Sequence, residues 1–194
     1  MINTVKTKGK CFLDGIVPQT GCKLEVEHAF SCEIEPFKQA YIERNFSPPI
    51  LFRDIRELGN EKATTAYGGL VEVPGNCDLL VAGTSCVDYS NLNNEKKGLD
   101  DGGESGQTFK GMMDWVDRTQ PPVVILENVC GAPWDLICQR WNQHGYLSTH
   151  IRVDSKFHYI PHTRTRVYLI AVRAPGPVKH TIGMYLCWKF ILKS

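Results

Sequence analysis

Several features that define common classes of protein are absent from this 194-residue sequence. Its eight cysteines form no C-x-x-C pair and join no histidines at zinc-finger spacing, so we expect reduced thiols and no metal site. There is no charged N-terminal segment followed by an apolar stretch, and no run of about 18 apolar residues occurs. These absences argue against a secretory signal and a membrane span, and they predict an intracellular protein.

Excess charge of either sign is also missing, since the formal net charge is +1. Net charge therefore gives no indication of nucleic-acid binding, and a polybasic tail is excluded. No G-x-G-x-x-G motif occurs, which argues against a nicotinamide-dependent oxidoreductase. What remains is a chain long enough for one α/β domain with a sizeable core.

Short apolar runs alternate with amphipathic stretches, a pattern typical of an α/β domain with a mainly parallel sheet and flanking helices. The predicted strands cover residues 26–34, 50–52, 78–82, 123–126, 147–153 and 167–172, the last two as a hairpin. The predicted helices cover residues 36–44, 109–116 and 134–144. Two polar, Gly-containing segments are predicted as loops, at residues 57–76 and 84–106. Loops as long as the second are usually functional or disordered.

Chemically useful side chains follow four of the predicted strands: Glu33, Asp54, Cys86 and Glu127. Ligands in open α/β sheets bind beyond the carboxyl ends of the strands, so we expect these residues on one rim. Cys86 lies on a polar loop just past a buried strand, where a thiolate can act as an oriented nucleophile. The alternative is a small buried hydrophobic residue.

The acids and arginines each allow two interpretations. Glu127, at the mouth of an apolar strand, can hydrogen-bond a ring nitrogen or cap the next turn. Glu33 has the position of an acid that holds ribose hydroxyls, or is a solvated surface acid. Asp54 can accept from an adenine amino group or simply close a turn. Arg164 and Arg166 can hold a phosphate, a carbonyl or an acid, or form an edge-strand ion pair.

In their order along the chain, these residues resemble the motifs of the DNA cytosine-5 methyltransferases. The five motifs are Glu33-Ile34-Glu35, Asp54-Ile55, Gly83-Thr84-Ser85-Cys86, Glu127-Asn128-Val129 and Arg164-Thr165-Arg166. Each motif alone is weak, but all five in order, with Pro121-Pro122-Val123-Val124 before the fourth, form a specific signal. The resemblance spans residues 31 to 173 and implies a Rossmann-like, S-adenosylmethionine-dependent methyltransferase fold.

The resemblance also implies a reaction in which a cytosine is flipped out of the nucleic acid and methylated. Cys86 would attack carbon 6 of the base, and Glu127 would hydrogen-bond N3 and the exocyclic amine. Arg166 would hold O2, Arg164 would orient the glutamate, and Asn128 would brace the cysteine loop. S-adenosylmethionine would donate the methyl group to carbon 5.

For the cofactor, the resemblance implies a second set of residues. Glu33 would hold the ribose hydroxyls, Ile34 would cover the adenine face, and Asp54 would bind the adenine amine, with Ile55 beside it. The loop over residues 84–106 would close over the flipped base, with its glycines as hinge candidates.

The chain departs from the family pattern at several places. Ser85 precedes the cysteine where the family usually has proline, and His162 stands where the last motif usually begins with glutamine. The Gly-rich F-x-G-x-G turn that serves the cofactor is missing; only Phe12-Leu13-Asp14-Gly15 and Gly21 are present in that region. The target-recognition region and closing helix of the family do not follow the last motif.

We therefore expect a catalytic core over residues 1–175 and an irregular tail over residues 176–194, with no target-recognition domain. The favoured function is methylation of cytosine in DNA, in the nucleus, with target recognition supplied by a partner. One alternative is a catalytically inactive binding module or fragment with the methyltransferase fold. The other is a tRNA cytosine-5 methyltransferase. A thiol hydrolase would need a histidine close to Cys86.

Overall fold

The computed structural model describes residues 2–8, 25–90, 93, 97–158 and 162–175. The strands are β1 (Ile2–Lys8), β2 (Glu25–Cys32), β3 (Leu51–Phe52), β4 (Lys62–Thr64), β5 (Leu70–Glu72), β6 (Leu79–Gly83), β7 (Val123–Asn128), β8 (Tyr146–Asp154) and β9 (Thr165–Arg173). The α-helices are α1 (Pro36–Phe46), α2 (Glu104–Thr119) and α3 (Trp134–Gln143), with short 3-10 helices at Ile55–Glu57 and Ser155–His158.

Seven of these strands form one sheet in the order β3-β2-β1-β6-β7-β9-β8. β2 and β3 pair in parallel, as do β6 and β7, and helices α1 and α2 make these two crossovers. β1 is antiparallel to both of its neighbours, and so is β9. The strands β2, β3, β6, β7 and β8 consequently all point the same way. The predicted α/β class with a mainly parallel direction is confirmed, and so is the predicted hairpin of the last two strands.

Among the described residues, a hydrophobic core lies against one face of strands β6, β7 and β9. Along these strands, buried side chains alternate with half-buried or exposed ones, as the two-residue period of a strand requires. The fully buried members are Leu80, Ala82, Val124, Leu126, Leu169 and Ala171. Helices α2 and α3 add the large side chains Met112, Trp115, Ile137 and Trp141 to the same cluster. The helical layer on this face fixes the strands whose ends carry the candidate site.

Two sequence predictions of secondary structure were wrong, and one strand was missed. Helix α2 begins at Glu104 rather than at residue 109, because tertiary contacts override the poor helix propensity of its first turn. Ser105 in that turn exchanges hydrogen bonds with the buried Asp88. The predicted loop at residues 57–76 contains the β4–β5 hairpin, whose strands of three residues each are too short to show a clear alternation. Strand β1 was not predicted at all.

Gly111 marks a close approach between α2 and the 3-10 helix at Ile55–Glu57. A Cβ atom at Gly111 would lie 2.7 Å from the Cα atom of Arg56 and 3.0 Å from the carbonyl oxygen of Ile55. Both are backbone atoms, so neither can rotate away. We expect Gly111→Ala to lower the free energy of unfolding by about 1–3 kcal/mol, measured by urea denaturation.

Gly69→Ala is the matched control for this prediction. A Cβ atom at exposed Gly69 would meet only Thr65 Oγ1, at 3.4 Å, which is ordinary van der Waals distance. Its effect should stay within about 0.5 kcal/mol. Equal losses of stability in the two variants would contradict the proposed close packing at Gly111.

Some predictions fall outside the described residues. The segment that lacks the Gly-rich turn belongs to residues 9–24, and the predicted tail covers residues 176–194. The domain boundary at residue 175 therefore stays a prediction. Among the described helices, none has both the length and the apolar character needed to cross a membrane.

Candidate active site

The carboxyl ends of β2, β3 and β6 border one cleft of about 560 Å³. Its lining includes all four residues expected at the cofactor, namely Glu33, Ile34, Asp54 and Ile55, together with Cys86. The strands run in the same direction, so their ends meet at one rim, as expected for an open α/β sheet. Residues that lie far apart in the sequence are thus brought to a single cavity.

Cys86 lies on the turn that follows β6. Its side chain is half-buried and its thiol forms no disulfide. The carbonyl oxygen of Cys86 accepts hydrogen bonds from the N–H groups of Tyr89 at 3.0 Å and Ser90 at 2.9 Å, so the backbone turns immediately after the cysteine. No histidine is among the described residues that line the cleft.

Asn128 connects the end of β7 to the Cys86 turn. The side chain is buried, and its Nδ2 atom donates to the carbonyl oxygen of Thr84 at 3.2 Å and to Thr84 Oγ1 at 3.1 Å. A longer contact of 3.4 Å reaches the carbonyl oxygen of Ser85. Oδ1 accepts from the N–H of Val129 at 2.7 Å. Both ends of the amide are satisfied, so this residue holds two neighbouring strand ends together.

Glu127 is the residue of β7 that pairs with Gly83, the last residue of β6. Its carboxylate forms an ion pair with Arg166 on β9, with Nε and Oε1 3.1 Å apart. The side chain of Glu127 is 33% exposed and that of Arg166 is 25% exposed, so the pair is partly shielded from water. The carboxylate is held at the rim, on the strand adjacent to the one that leads to the cysteine.

In the structure, Arg166 makes the contact with Glu127 that the resemblance implied for Arg164. β9 begins at Thr165, so Arg164 lies on the preceding turn and does not share the strand alternation of Arg166. Arg164 is exposed, and its backbone N–H donates to Ser155 Oγ at 3.0 Å. The sequence could not separate the two arginines, because the separation depends on where the strand starts.

Glu33 follows β2 directly and is 8% exposed. Its Oε1 atom accepts from the N–H of Ile34 at 3.1 Å and from the N–H of Glu35 at 3.2 Å. The Nζ atom of Lys38, on α1, lies 4.0 Å away. These contacts orient the carboxylate at the wall of the cleft as a fixed hydrogen-bond acceptor.

Asp54 forms an ion pair with Arg56, a residue that belongs to none of the five motifs. The Nε atom of Arg56 donates to Asp54 Oδ1 at 2.9 Å, its Nη2 atom donates to Oδ2 at 2.5 Å, and its N–H donates to Oδ1 at 2.9 Å. The hydrogen bonds from the Arg56 guanidinium are the main reason that the pKa of the Asp54 carboxyl lies below its usual range. Asp54 is thereby kept ionised and in place beside half-buried Ile55.

The described part of the loop at residues 84–106 is fastened at both ends. The N–H of Asp88 donates to Ser105 Oγ at 3.0 Å, and the N–H of Ser105 donates to Asp88 Oδ2 at 2.7 Å. Arg140 on α3 holds Asp100 near the far end, with Nη2 3.0 Å from Oδ1. Asp88 is buried. Its role was not predicted from the sequence, because the burial of an acid on a polar loop has no local signal.

The family model described as C-5 cytosine-specific DNA methylase matches residues 18–184. The chain therefore belongs to the C-5 cytosine-specific DNA methylase family. Among individual relatives, it is 64% identical over 156 residues to the DNA (cytosine-5-)-methyltransferase DMT5 of Cryptococcus neoformans, covering 80% of this chain and 7% of that protein. It is 36% identical over 198 residues to DMT5 of Verticillium dahliae, covering 76% of this chain and 8% of that protein. The chain thus spans less than a tenth of either relative.

Solved structures agree on the fold. The Dnmt2 methyltransferase of S. pombe superposes with a TM-score of 0.54 at 18% identity, covering 87% of this chain and 49% of that one. A DNMT2 mutant of Spodoptera frugiperda gives a TM-score of 0.55 at 16% identity, covering 80% of this chain and 45% of that one. The expected S-adenosylmethionine-dependent methyltransferase fold is confirmed.

Proposed function

We propose that this chain is the catalytic core of an enzyme that transfers a methyl group from S-adenosylmethionine to carbon 5 of cytosine in DNA, through a covalent adduct on Cys86. The observation that carries the proposal is the free, half-buried thiol of Cys86 at a cleft lined by Glu33 and Asp54. Glu127, fixed by Arg166, lies on the neighbouring strand. Membership of the cytosine-specific DNA methylase family supports this assignment.

The residues of the rim suit each step on the base. The thiolate of Cys86 adds to carbon 6, and the electron pair of the 5,6 double bond moves to carbon 5. Glu127 hydrogen-bonds N3 and the exocyclic amine, which stabilises the charge that develops in the ring. Arg166 holds the Glu127 carboxylate and would also bind O2 of the cytosine. A base removes the proton from methylated carbon 5, and the electron pair left behind expels the Cys86 thiolate.

S-adenosylmethionine, when bound, would supply the methyl group that carbon 5 takes up; its sulfur–methyl bond would break and S-adenosylhomocysteine would be released. The cleft fits its nucleoside part chemically. Glu33 is an oriented acceptor for ribose hydroxyls, and ionised Asp54 is an acceptor for an adenine amine. Ile34 is 54% exposed and offers apolar surface for the adenine face, and Ile55, just after the neighbouring strand β3, lines the same cleft. Two acids and two aliphatic side chains therefore match the polar edges and the flat faces of a nucleoside.

Replacing Glu33 tests the cofactor site. Glu33→Ala should weaken S-adenosylmethionine binding by roughly 10- to 100-fold, because it removes charge-assisted hydrogen bonds to the ribose, and isothermal calorimetry measures the change. Glu35→Ala is the matched control, since that exposed glutamate lines the same cleft and has no assigned cofactor contact. No binding by the wild-type chain at millimolar cofactor would favour the inactive binding module instead.

We favour DNA over tRNA as the substrate, because the matching family is one of DNA methylases and both fungal relatives are DNA methyltransferases by name. An intracellular protein with a nuclear location follows from that substrate. Target recognition would come from a partner or from sequence beyond this chain. DNA and RNA oligonucleotides with the same cytosine context, compared for methyl transfer, distinguish the two substrates.

A further inference from the structure

Ser85 occupies the position before Cys86 at which the family usually has proline. Proline fixes its own backbone angle φ and so stiffens the turn that leads to the next residue, whereas serine does not. The structure contains a different restraint on this serine. Its hydroxyl donates to Glu104 Oε1 at 2.8 Å, and its N–H donates to Thr108 Oγ1 at 3.2 Å. Both partners lie at the beginning of α2.

The partners are themselves oriented to receive these hydrogen bonds. The hydroxyl of Thr108 donates to the carbonyl oxygen of Glu104 at 3.0 Å, which leaves a lone pair of Oγ1 for the N–H of Ser85. Glu104 is in the first turn of α2, where the helix dipole stabilises a carboxylate. A hydroxyl that donates to an ionised carboxylate forms a charge-assisted hydrogen bond, which is stronger than a neutral one.

We propose that Ser85, Glu104 and Thr108 are positioning residues, which hold the Cys86 thiol in place by hydrogen bonds instead of by a proline ring. The inference rests on the proposed function, because it takes Cys86 as the nucleophile. With Asn128 on the other side, the turn is held between α2 and β7. A nucleophile that is misplaced by about 1 Å can lose about 100-fold in rate, so loss of this contact should lower the reactivity of Cys86.

The test is a comparison of Glu104→Ala in two backgrounds. With serine at position 85, Glu104→Ala should slow formation of the covalent complex with 5-fluorocytosine DNA about tenfold, because the charge-assisted hydrogen bond is lost. Because Glu104 also lines the cleft proposed for the cofactor, the S-adenosylmethionine dissociation constant is measured for each variant and the rates are compared at saturating cofactor. Glu104→Gln keeps an acceptor oxygen and should retain most of the rate. In the Ser85→Pro background, Glu104→Ala should have no further effect, since proline restrains the turn without the glutamate.

Two further measurements keep the proposal falsifiable if Ser85→Pro does not fold. In a double-mutant cycle, the combined Ser85→Ala and Glu104→Ala variant should lose no more rate than either single variant. Hydrogen exchange of the peptide over residues 84–90 should be faster in Glu104→Ala than in wild type. A wild-type chain that forms no adduct contradicts the proposed function alone, because exchange still reports on the turn. Additive losses in the cycle, or unchanged exchange in Glu104→Ala, would overturn the positioning role.

Discussion

Cys86→Ser should abolish methyl transfer to cytosine, with the initial rate falling at least about 1,000-fold. A serine hydroxyl keeps its proton near neutral pH, whereas a cysteine provides a thiolate, which is the nucleophilic form. The two side chains are similar in size and Cys86 is only half-buried, so the fold should be retained. Transfer of labelled methyl groups from S-adenosylmethionine to duplex DNA measures the effect.

Cys130→Ser is the matched control for this prediction. Cys130 is a free, exposed cysteine that lies just after β7 and does not line the cleft. Its replacement should leave the rate within about twofold, as for most surface substitutions away from special features. Comparable losses in both variants would indicate damage to the fold, and full activity of Cys86→Ser would exclude Cys86 as the nucleophile.

Glu127→Gln should slow methyl transfer by about 100- to 1,000-fold without unfolding the protein. The substitution conserves volume but removes the negative charge that pairs with Arg166 and the carboxyl that can share a proton with N3. S-adenosylmethionine affinity should stay within about twofold of wild type, since Glu127 does not line the cofactor cleft. Single-turnover rates and calorimetry separate these two effects.

The companion variant Arg166→Lys sharpens the test of Glu127. Lysine keeps the positive charge but cannot reproduce the planar fork of the guanidinium, so a partial loss of rate is expected. Arg164→Lys should have a smaller effect, because Arg164 is exposed and lies before β9. A larger loss of rate for Arg164→Lys than for Arg166→Lys would contradict the proposal that the ion pair with Arg166 orients Glu127.

The rim of the site could be predicted from the sequence because it depends on strands with strong local signals. The apolar runs before Thr84 and Glu127 are short, buried and clearly bounded, and parallel strands place their carboxyl ends together. Glu33 and Asp54 could be predicted at the same rim for the same reason, because each comes shortly after a strand of the same direction. The cleft that includes both acids and Cys86 agrees with this expectation.

The remaining features depend on contacts between distant segments, which have no local signature. The early start of α2 depends on Asp88, which is far from Ser105 in the sequence, and the pairing of Glu127 depends on the register of β9. The serine before the cysteine was visible as a departure from the family. Its restraint by Glu104 was not, because the two residues are 19 positions apart and meet only in the folded chain.

Covalent trapping is the most direct test of whether Cys86 is the nucleophile that attacks cytosine. Fluorine at carbon 5 cannot leave as a proton does, so a cytosine that has been attacked at carbon 6 and methylated stays attached to the protein. Incubation with 5-fluorocytosine DNA and S-adenosylmethionine should give a denaturation-resistant complex, and peptide mapping should place the nucleotide on Cys86. No complex is expected for Cys86→Ser. A complex that persists in that variant, or a nucleotide mapped to Cys130 or Cys138, would contradict it.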